Sequence, residues 1–191
     1  MMNNYNGNVA AVSGLWRNGG GCGACYEVWC KLPQYCNRKG VIVVATDYGV
    51  GDRTEFIMSK HGFSGLALNG DASKALFKRG VVDIGFKRVP CKYNGYIKLH
   101  IQESSRNPGY FAVLFLNVNG VSDITAVQMW QRKLQRWEPL RRVYGAVFDF
   151  ANPPNGAILL RLQLSYKWLP LITIPANWKP GATYGTKIQP Y

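Results

Sequence analysis

Acidic side chains are scarce in this chain of 191 residues: 10 Asp and Glu stand against 23 Lys and Arg, giving a formal net charge of +13 at pH 7. Such an excess attracts polyanions, whether nucleic acid, an anionic membrane or an acidic polysaccharide. Nucleic acid is the first thought for a basic chain, yet no Lys/Arg run and no helical recognition pattern supports it. Nowhere do about 18 consecutive apolar residues occur, so no membrane-spanning helix is expected. The opening MMNNYNGNVAAVSG lacks a basic segment followed by an apolar one and does not read as a secretory signal. Charged residues are 17% of the chain and apolar residues 47%, which excludes a disordered protein. Histidine is rare too: His61 and His100 are lone, and are expected to be structural or surface residues.

What is abundant points to β-structure. There are 21 Gly, 11 Tyr, 8 Phe and 6 Trp, while long amphipathic patterns are hard to find. GVIVVATD, Gly40 to Asp47, reads as a buried strand, and GVVDIGFKRVPC as another. Ser64 to Arg79 predicts two short helical pieces broken at Asn69-Gly70-Asp71, the second capped by Asp71 or Ser73. A boundary falls near Pro90 to Asn94. Beyond it YIKLHIQES alternates, YFAVLFLNVNGVSDITAVQMW predicts two strands in a hairpin at Asn119-Gly120, and GAILLRLQLSY is a further strand. Strands at this spacing suggest a β-sandwich of about 100 residues. The two domains are therefore expected at 1–91 and 92–191, with net charges of +5 and +8 from their Lys, Arg, Asp and Glu.

Two clusters carry potential chemistry. TDYGVGDRTEFIMS, Thr46 to Ser59, holds Asp47, Asp52 and Glu55, three of the ten acidic residues. Asp52 and Glu55 are expected to be solvated loop charges, meeting Arg53 or Lys60. Asp47 ends a buried strand and reads equally as a hydrogen-bond anchor or a site residue. Five cysteines lie at 22, 25, 30, 36 and 91. Crowding of this kind means a metal knuckle or a disulfide-stapled domain; the wide Cys30–Cys36 spacing weighs against zinc.

In order along the chain, GLWRNGGGCGACYEVWC, TDYG, GVVDIGFKRVPC, NPGYFAVLF, VYGAVFDFANPPNGA and IPANWKPGATY resemble the plant expansin-like proteins, most of all their B group. The resemblance covers nearly everything from Val9 onward. It implies an all-β chain: a double-psi β-barrel over 1–91, followed by an immunoglobulin-like β-sandwich of the cellulose-binding kind over 92–191. The family's signal peptide and first barrel strand have no counterpart here. The expectation is thus a truncated sequence of a protein secreted to the extracellular plant cell wall. The family pattern implies bridges Cys25–Cys91 and Cys30–Cys36, and assigns Cys22 to a partner upstream of this chain's start. The first bridge would close a loop of about 65 residues, worth roughly 3–4 kcal/mol.

Related barrels that hydrolyse glucan use two carboxylates flanking the bond. The family's His-Phe-Asp triplet is matched here by Glu55-Phe56-Ile57, so the acidic position is occupied by Ile57. The resemblance then implies a non-hydrolytic protein that binds wall polysaccharide and loosens the wall, with no catalytic residue, cofactor or metal, and Asp47 left as a groove candidate. The alternative is a weak glucan-acting hydrolase using Asp47 and Glu55. Sugar rings stack on flat aromatic side chains. By family position Tyr110 and Tyr144 belong to such a platform, with Trp137 beside Arg136, Arg141 and Arg142 as a third candidate. Phe148, Trp130, Trp168 and Trp178 are expected to be buried, and the sandwich edge around Ser165 to Leu171 to be remodelled. The partners implied are cellulose and matrix polysaccharides, including acidic pectin held by the basic excess, with no nucleic acid or membrane; a monomer is expected.

Overall fold

The computed structural model describes residues 7–51 and 53–190. Asp52, expected as a solvated loop charge, lies outside the described residues. The chain divides into two compact units, Met1–Arg17 with Gly21–Cys91, and Asn18–Gly20 with Lys92–Tyr191.

The first unit is built on β1 (Val9–Val12), β2 (Cys25–Cys30), β3 (Val41–Tyr48), β4 (Phe56–Met58) and β5 (Ile84–Val89). Their order in the sheet is β4-β1-β3-β2-β5, with β1 parallel to β3 and the other pairs antiparallel. Val43, Val44 and Ala45 are all buried, as a central strand covered on both faces requires. Tyr26, Phe56 and Phe86 meet edge to face at centroid distances of 5.1–6.2 Å, linking β2 to the edge strands β4 and β5. Disulfides join Cys25 to Cys91 and Cys30 to Cys36, with Cα atoms 5.3 and 5.7 Å apart; Cys22, half-buried, is in neither.

Two short helices cover this core. α1 (Lys60–Ser64) begins earlier than the apolar pattern suggests, because the Ser59 hydroxyl accepts from the Gly62 N–H and starts the turn there. α2 (Gly70–Arg79) is capped by Asn69, whose Oδ1 accepts from the Ala72 N–H at 2.9 Å. That corrects the expected Asp71 or Ser73 cap. Asp71 lies inside the first turn, paired at the surface with Lys74.

The second unit holds two sheets. One runs β10 (Arg141–Tyr144), β11 (Val147–Ala151), β7 (Tyr110–Leu116), β6 (Lys98–Ile101), β15 (Thr183–Gly185); the other runs β13 (Lys167–Trp168), β12 (Ile158–Leu164), β8 (Ile124–Gln131), β9 (Arg136–Pro139), with β14 (Ile172–Ile174) also on β12. Each turns one set of alternate residues inward: Leu99, Ile101, Phe111, Val113, Phe115 and Phe148 from the first, Val127, Met129, Ile158, Leu160 and Leu162 from the second. Trp178 is buried with its ring 5.4 Å from that of Phe111.

The expected hairpin at Asn119-Gly120 is not formed, since β7 and β8 belong to different sheets. Asn119 does other work. Its side chain accepts from the Tyr93 N–H and donates to the Tyr93 carbonyl, and its own N–H donates to Gln189 Oε1. The Asn-Gly pair shapes a crossing between sheets, as sandwich topologies demand. Among the described residues no helix is long and apolar enough to cross a membrane.

Candidate functional site

The acidic cluster of the first unit resolves into separate roles. Glu55 lies just before β4 and its carboxylate accepts from the N–H groups of Ser13 (3.1 Å), Gly14 (3.2 Å) and Leu15 (2.8 Å), and from the Ser13 hydroxyl (2.9 Å). These donors open the 3-10 turn Gly14–Gly19, whose first N–H groups have no partner inside the turn. A carboxylate at such an end satisfies them and favours the turn's polarity. Glu55 is thus a backbone anchor, which corrects the expected solvated charge. No local signal marks this, because Glu55 and its donors are 40 to 42 residues apart.

Asp47 is exposed near the end of β3, opposite Ala11, and its Oδ1 accepts from the Tyr48 N–H at 2.8 Å. Ile57 is 46% exposed on β4. A pocket of about 260 Å³ opens between β4 and β5, lined by Arg53, Glu55, Phe56, Asp83 and Phe86 among others, and Asp47 is not part of its wall. The two acids named for hydrolysis therefore do not share this pocket.

The second unit presents a more organised surface. Along β7, Phe111, Val113 and Phe115 point inward, so Tyr110, Ala112 and Leu114 take the outer face. The antiparallel register sets Tyr110 opposite Ala151, Leu114 opposite Val147 and Asp149 opposite Ala112. β10 then sets Arg141 opposite Asp149 and, past a register shift, Tyr144 opposite Val147. Tyr110 and Tyr144 therefore share one outer face, two strands and about four residues apart, roughly 16 Å on standard sheet spacings.

An ion pair sits between them. Arg141 donates from Nε to Asp149 Oδ1 at 3.0 Å and from Nη2 to Oδ2 at 2.6 Å, a bidentate fork. The Tyr110 hydroxyl donates to the same Oδ2 at 2.8 Å. Hydrogen bonding from Arg141 holds the Asp149 carboxyl below its ordinary range, against the opposing effect of its burial. Burial first, then the hydrogen bond to Asp149, raises the Tyr110 phenol above its ordinary value. The hydrogen bond to Asp149 likewise raises Arg141. Asp149 is buried, whereas Tyr144 is 50% exposed. The turn before β7 fixes Tyr110: its N–H and carbonyl pair with those of Arg106 at 2.8 Å, and Asn107 donates to the carbonyls of Ala176 and Trp178. One signal in the sequence does foreshadow the ion pair. Arg141 and Asp149 are eight apart across the Tyr144-Gly145-Ala146 turn, opposite in charge and nearly symmetric about it.

Trp137 does not join this face. It lies on β9 of the other sheet, opposite Trp130, with ring centroids 5.4 Å apart. Trp130 and Trp168, expected to be buried, are half-buried on that sheet, while Phe148 and Trp178 are buried. His100 bonds Thr183 at 3.0 Å and approaches Glu103 at 3.6 Å, and His61 is exposed.

Comparison with known proteins places this geometry. Residues 97–173 match the Expansin C-terminal domain, and residues 8–86 match a double-psi β-barrel family described as Lytic transglycolase. Expansin-like B1 of Arabidopsis thaliana is 46% identical over 190 residues, covering 96% of this chain and 76% of that protein. Expansin-like B1 of Oryza sativa subsp. japonica is 41% identical, covering 96% and 75%, and Expansin-like A2 of Arabidopsis thaliana is 34% identical, covering 95% and 71%. The crystal structure of apo Clavibacter michiganensis expansin superposes with a TM-score of 0.74 at 19% identity, over 95% of this chain and 82% of that one. A point mutant of the same bacterial expansin, solved in complex with cellohexaose, superposes equally well.

Proposed function

The chain belongs to the expansin-like proteins, and from that premise we propose that it binds plant cell-wall polysaccharide without cutting it and loosens the wall by displacing contacts between chains. The observation that carries this reading is the shared outer face of Tyr110 and Tyr144, with Arg141 and Asp149 between them. Two aromatic rings at that separation suit an extended glucan rather than a single sugar, since each pyranose offers an apolar face to a flat ring. The hydroxyl of Tyr110, held by Asp149, fixes its ring before ligand arrives, which lowers the entropy cost of binding. The bacterial expansin solved with cellohexaose supports a cellulose-like ligand for this fold. The basic excess, +8 over residues 92–191, suits acidic matrix glycans such as pectin as additional partners. We place the protein in the extracellular cell wall, acting as a monomer.

The placement of the acids supports the non-hydrolytic reading. Glu55 is committed to backbone N–H groups, and Ile57 cannot carry a proton. With Ile57 at the family's acidic position, Asp47 lacks the partner that a two-carboxylate mechanism would supply there. The rival, lytic or hydrolytic reading is tested by incubating the full chain at high load with soluble glucan and counting new reducing ends. No new ends, together with adsorption to insoluble cellulose and faster extension of isolated walls under load, is the expected result. New ends that disappear in Asp47→Asn would overturn it.

A further inference from the structure

The other sheet of the second unit carries a second arrangement that the tyrosine face does not use. Arg161 on β12 faces outward with Gln128 of β8, its register partner. Its guanidinium lies 4.5 Å from the ring centroid of Trp137 and 4.3 Å from that of Trp168. Nε and Nη2 both donate to Gln128 Oε1, the first at 2.7 Å. Arginine has five N–H donors, so three remain unused by these bonds. No carboxylate pairs with Arg161 among the described residues. Glu138 pairs with Arg136, and Asp149 with Arg141. Lys167 and Lys187 line the pocket of about 430 Å³ that adjoins Trp168.

A guanidinium close to two aromatic rings, oriented by an amide and paired with no carboxylate among the described residues, is prepared for an oxyanion. Its planar fork matches a carboxylate, and the two indoles offer apolar surface to the ring that bears it. A phosphate would use the fork equally but leave the indoles idle. A neutral glucan would use the indoles and leave the guanidinium unmatched.

We propose that Arg161, with Trp137 and Trp168, forms a binding site for an acidic glycan, the carboxylate of a uronic acid residue pairing with the guanidinium. The site is separate from the tyrosine face, so one sandwich holds a neutral glucan on one sheet and a uronate chain on the other. The inference extends the function proposed above and can fail apart from it, because cellulose reads one face and uronate the other.

The test uses the full chain and soluble oligogalacturonate, with affinity measured by calorimetry at low salt and adsorption to insoluble cellulose measured in parallel. Arg161→Gln is expected to weaken oligogalacturonate about tenfold, the scale of one lost charge-assisted contact. Arg161→Lys keeps the charge and loses the fork, and is expected to weaken it roughly threefold. Cellulose adsorption is expected to be unchanged in both. Lys78→Gln on α2, which removes one positive charge far along the chain, is the control and is expected to change neither ligand. Equal oligogalacturonate binding by wild type and Arg161→Gln would overturn the site. So would equal weakening by Lys78→Gln, which would assign the attraction to net charge alone. Should Arg161→Gln fail to fold, wild-type affinity in a folded Arg161→Lys would overturn the pairing geometry by itself.

Discussion

Glu55 in the first unit and Asp149 in the second are both carboxylates surrounded by donors, yet their donors differ in kind. Glu55 is met by three backbone N–H groups and one hydroxyl, Asp149 by a guanidinium and a phenol. Backbone donors cannot be redirected without unmaking the turn, so Glu55 anchors the fold of the barrel. Side-chain donors belong to residues that also face solvent, so Asp149 shapes a surface. The contrast fits the proposed function, in which the sandwich face binds polysaccharide and the barrel supports it. An acid near a groove is evidence for catalysis only when its lone pairs are available to a substrate.

If this division holds, perturbing the barrel changes stability and perturbing the sandwich face changes binding. The largest effect is expected from Cys25→Ala with Cys91→Ala, which opens a loop spanning 66 residues of sequence separation. The chain-entropy argument puts the loss at about 4 kcal/mol, to be read from urea unfolding. Next is Glu55→Ala, which orphans three N–H groups and is expected to cost about 2 kcal/mol with cellulose adsorption retained under native conditions. A stability unchanged by Glu55→Ala, or cellulose adsorption lost in the folded variant, would break the comparison. Tyr144→Ala reverses the pattern. About tenfold weaker adsorption to cellulose is expected, with an unfolding free energy within about 0.5 kcal/mol of wild type, as for an exposed substitution.

The smallest effects are those of pH. Asp149 titrates below its ordinary value in the folded protein. Its contribution to stability is therefore complete above the unfolded carboxyl value near 4 and is lost as pH falls below that towards the depressed folded value. Wild type and Asp149→Asn are expected to differ in stability by a constant amount between about pH 5 and 8, and to converge in acid. Tyr110 works the other way, since its neutral phenol is the favoured form. One tyrosine in the ultraviolet titration should ionise later than a free phenol, and that delay should shrink in Asp149→Asn. A uniform tyrosine titration in wild type would contradict the coupling.

Much of the fold could be read from patterns of local origin. The apolar run through Val43, Val44 and Ala45 and the alternation through Phe111, Val113 and Phe115 are properties of single strands, and the family motifs supplied their assembly into barrel and sandwich. What the patterns missed depends on distant pairings. Asn119-Gly120 has the chemistry of a hairpin turn, but the side-chain bonds of Asn119 to Tyr93 direct the chain to the other sheet. Glu55 looked solvated because its partners lie 40 residues upstream. Trp137 looked like a neighbour of Arg141 and Arg142, being close in sequence, whereas Leu140 between them is buried and the strands on either side enter different sheets. Trp168 and Arg161 gave no sign in sequence that they would stack, because only the β12–β13 pairing brings them together.

The most direct test of the account is depletion binding of the full chain and of Tyr144→Ala to insoluble cellulose, at low and at high salt. Aromatic stacking resists screening, whereas attraction between separated charges fades over a Debye length of about 3 Å in molar salt. The account predicts wild-type binding that persists at high salt and falls about tenfold in Tyr144→Ala at both. Binding that vanishes with salt, or that Tyr144→Ala leaves intact, would contradict a tyrosine platform as the polysaccharide-binding surface.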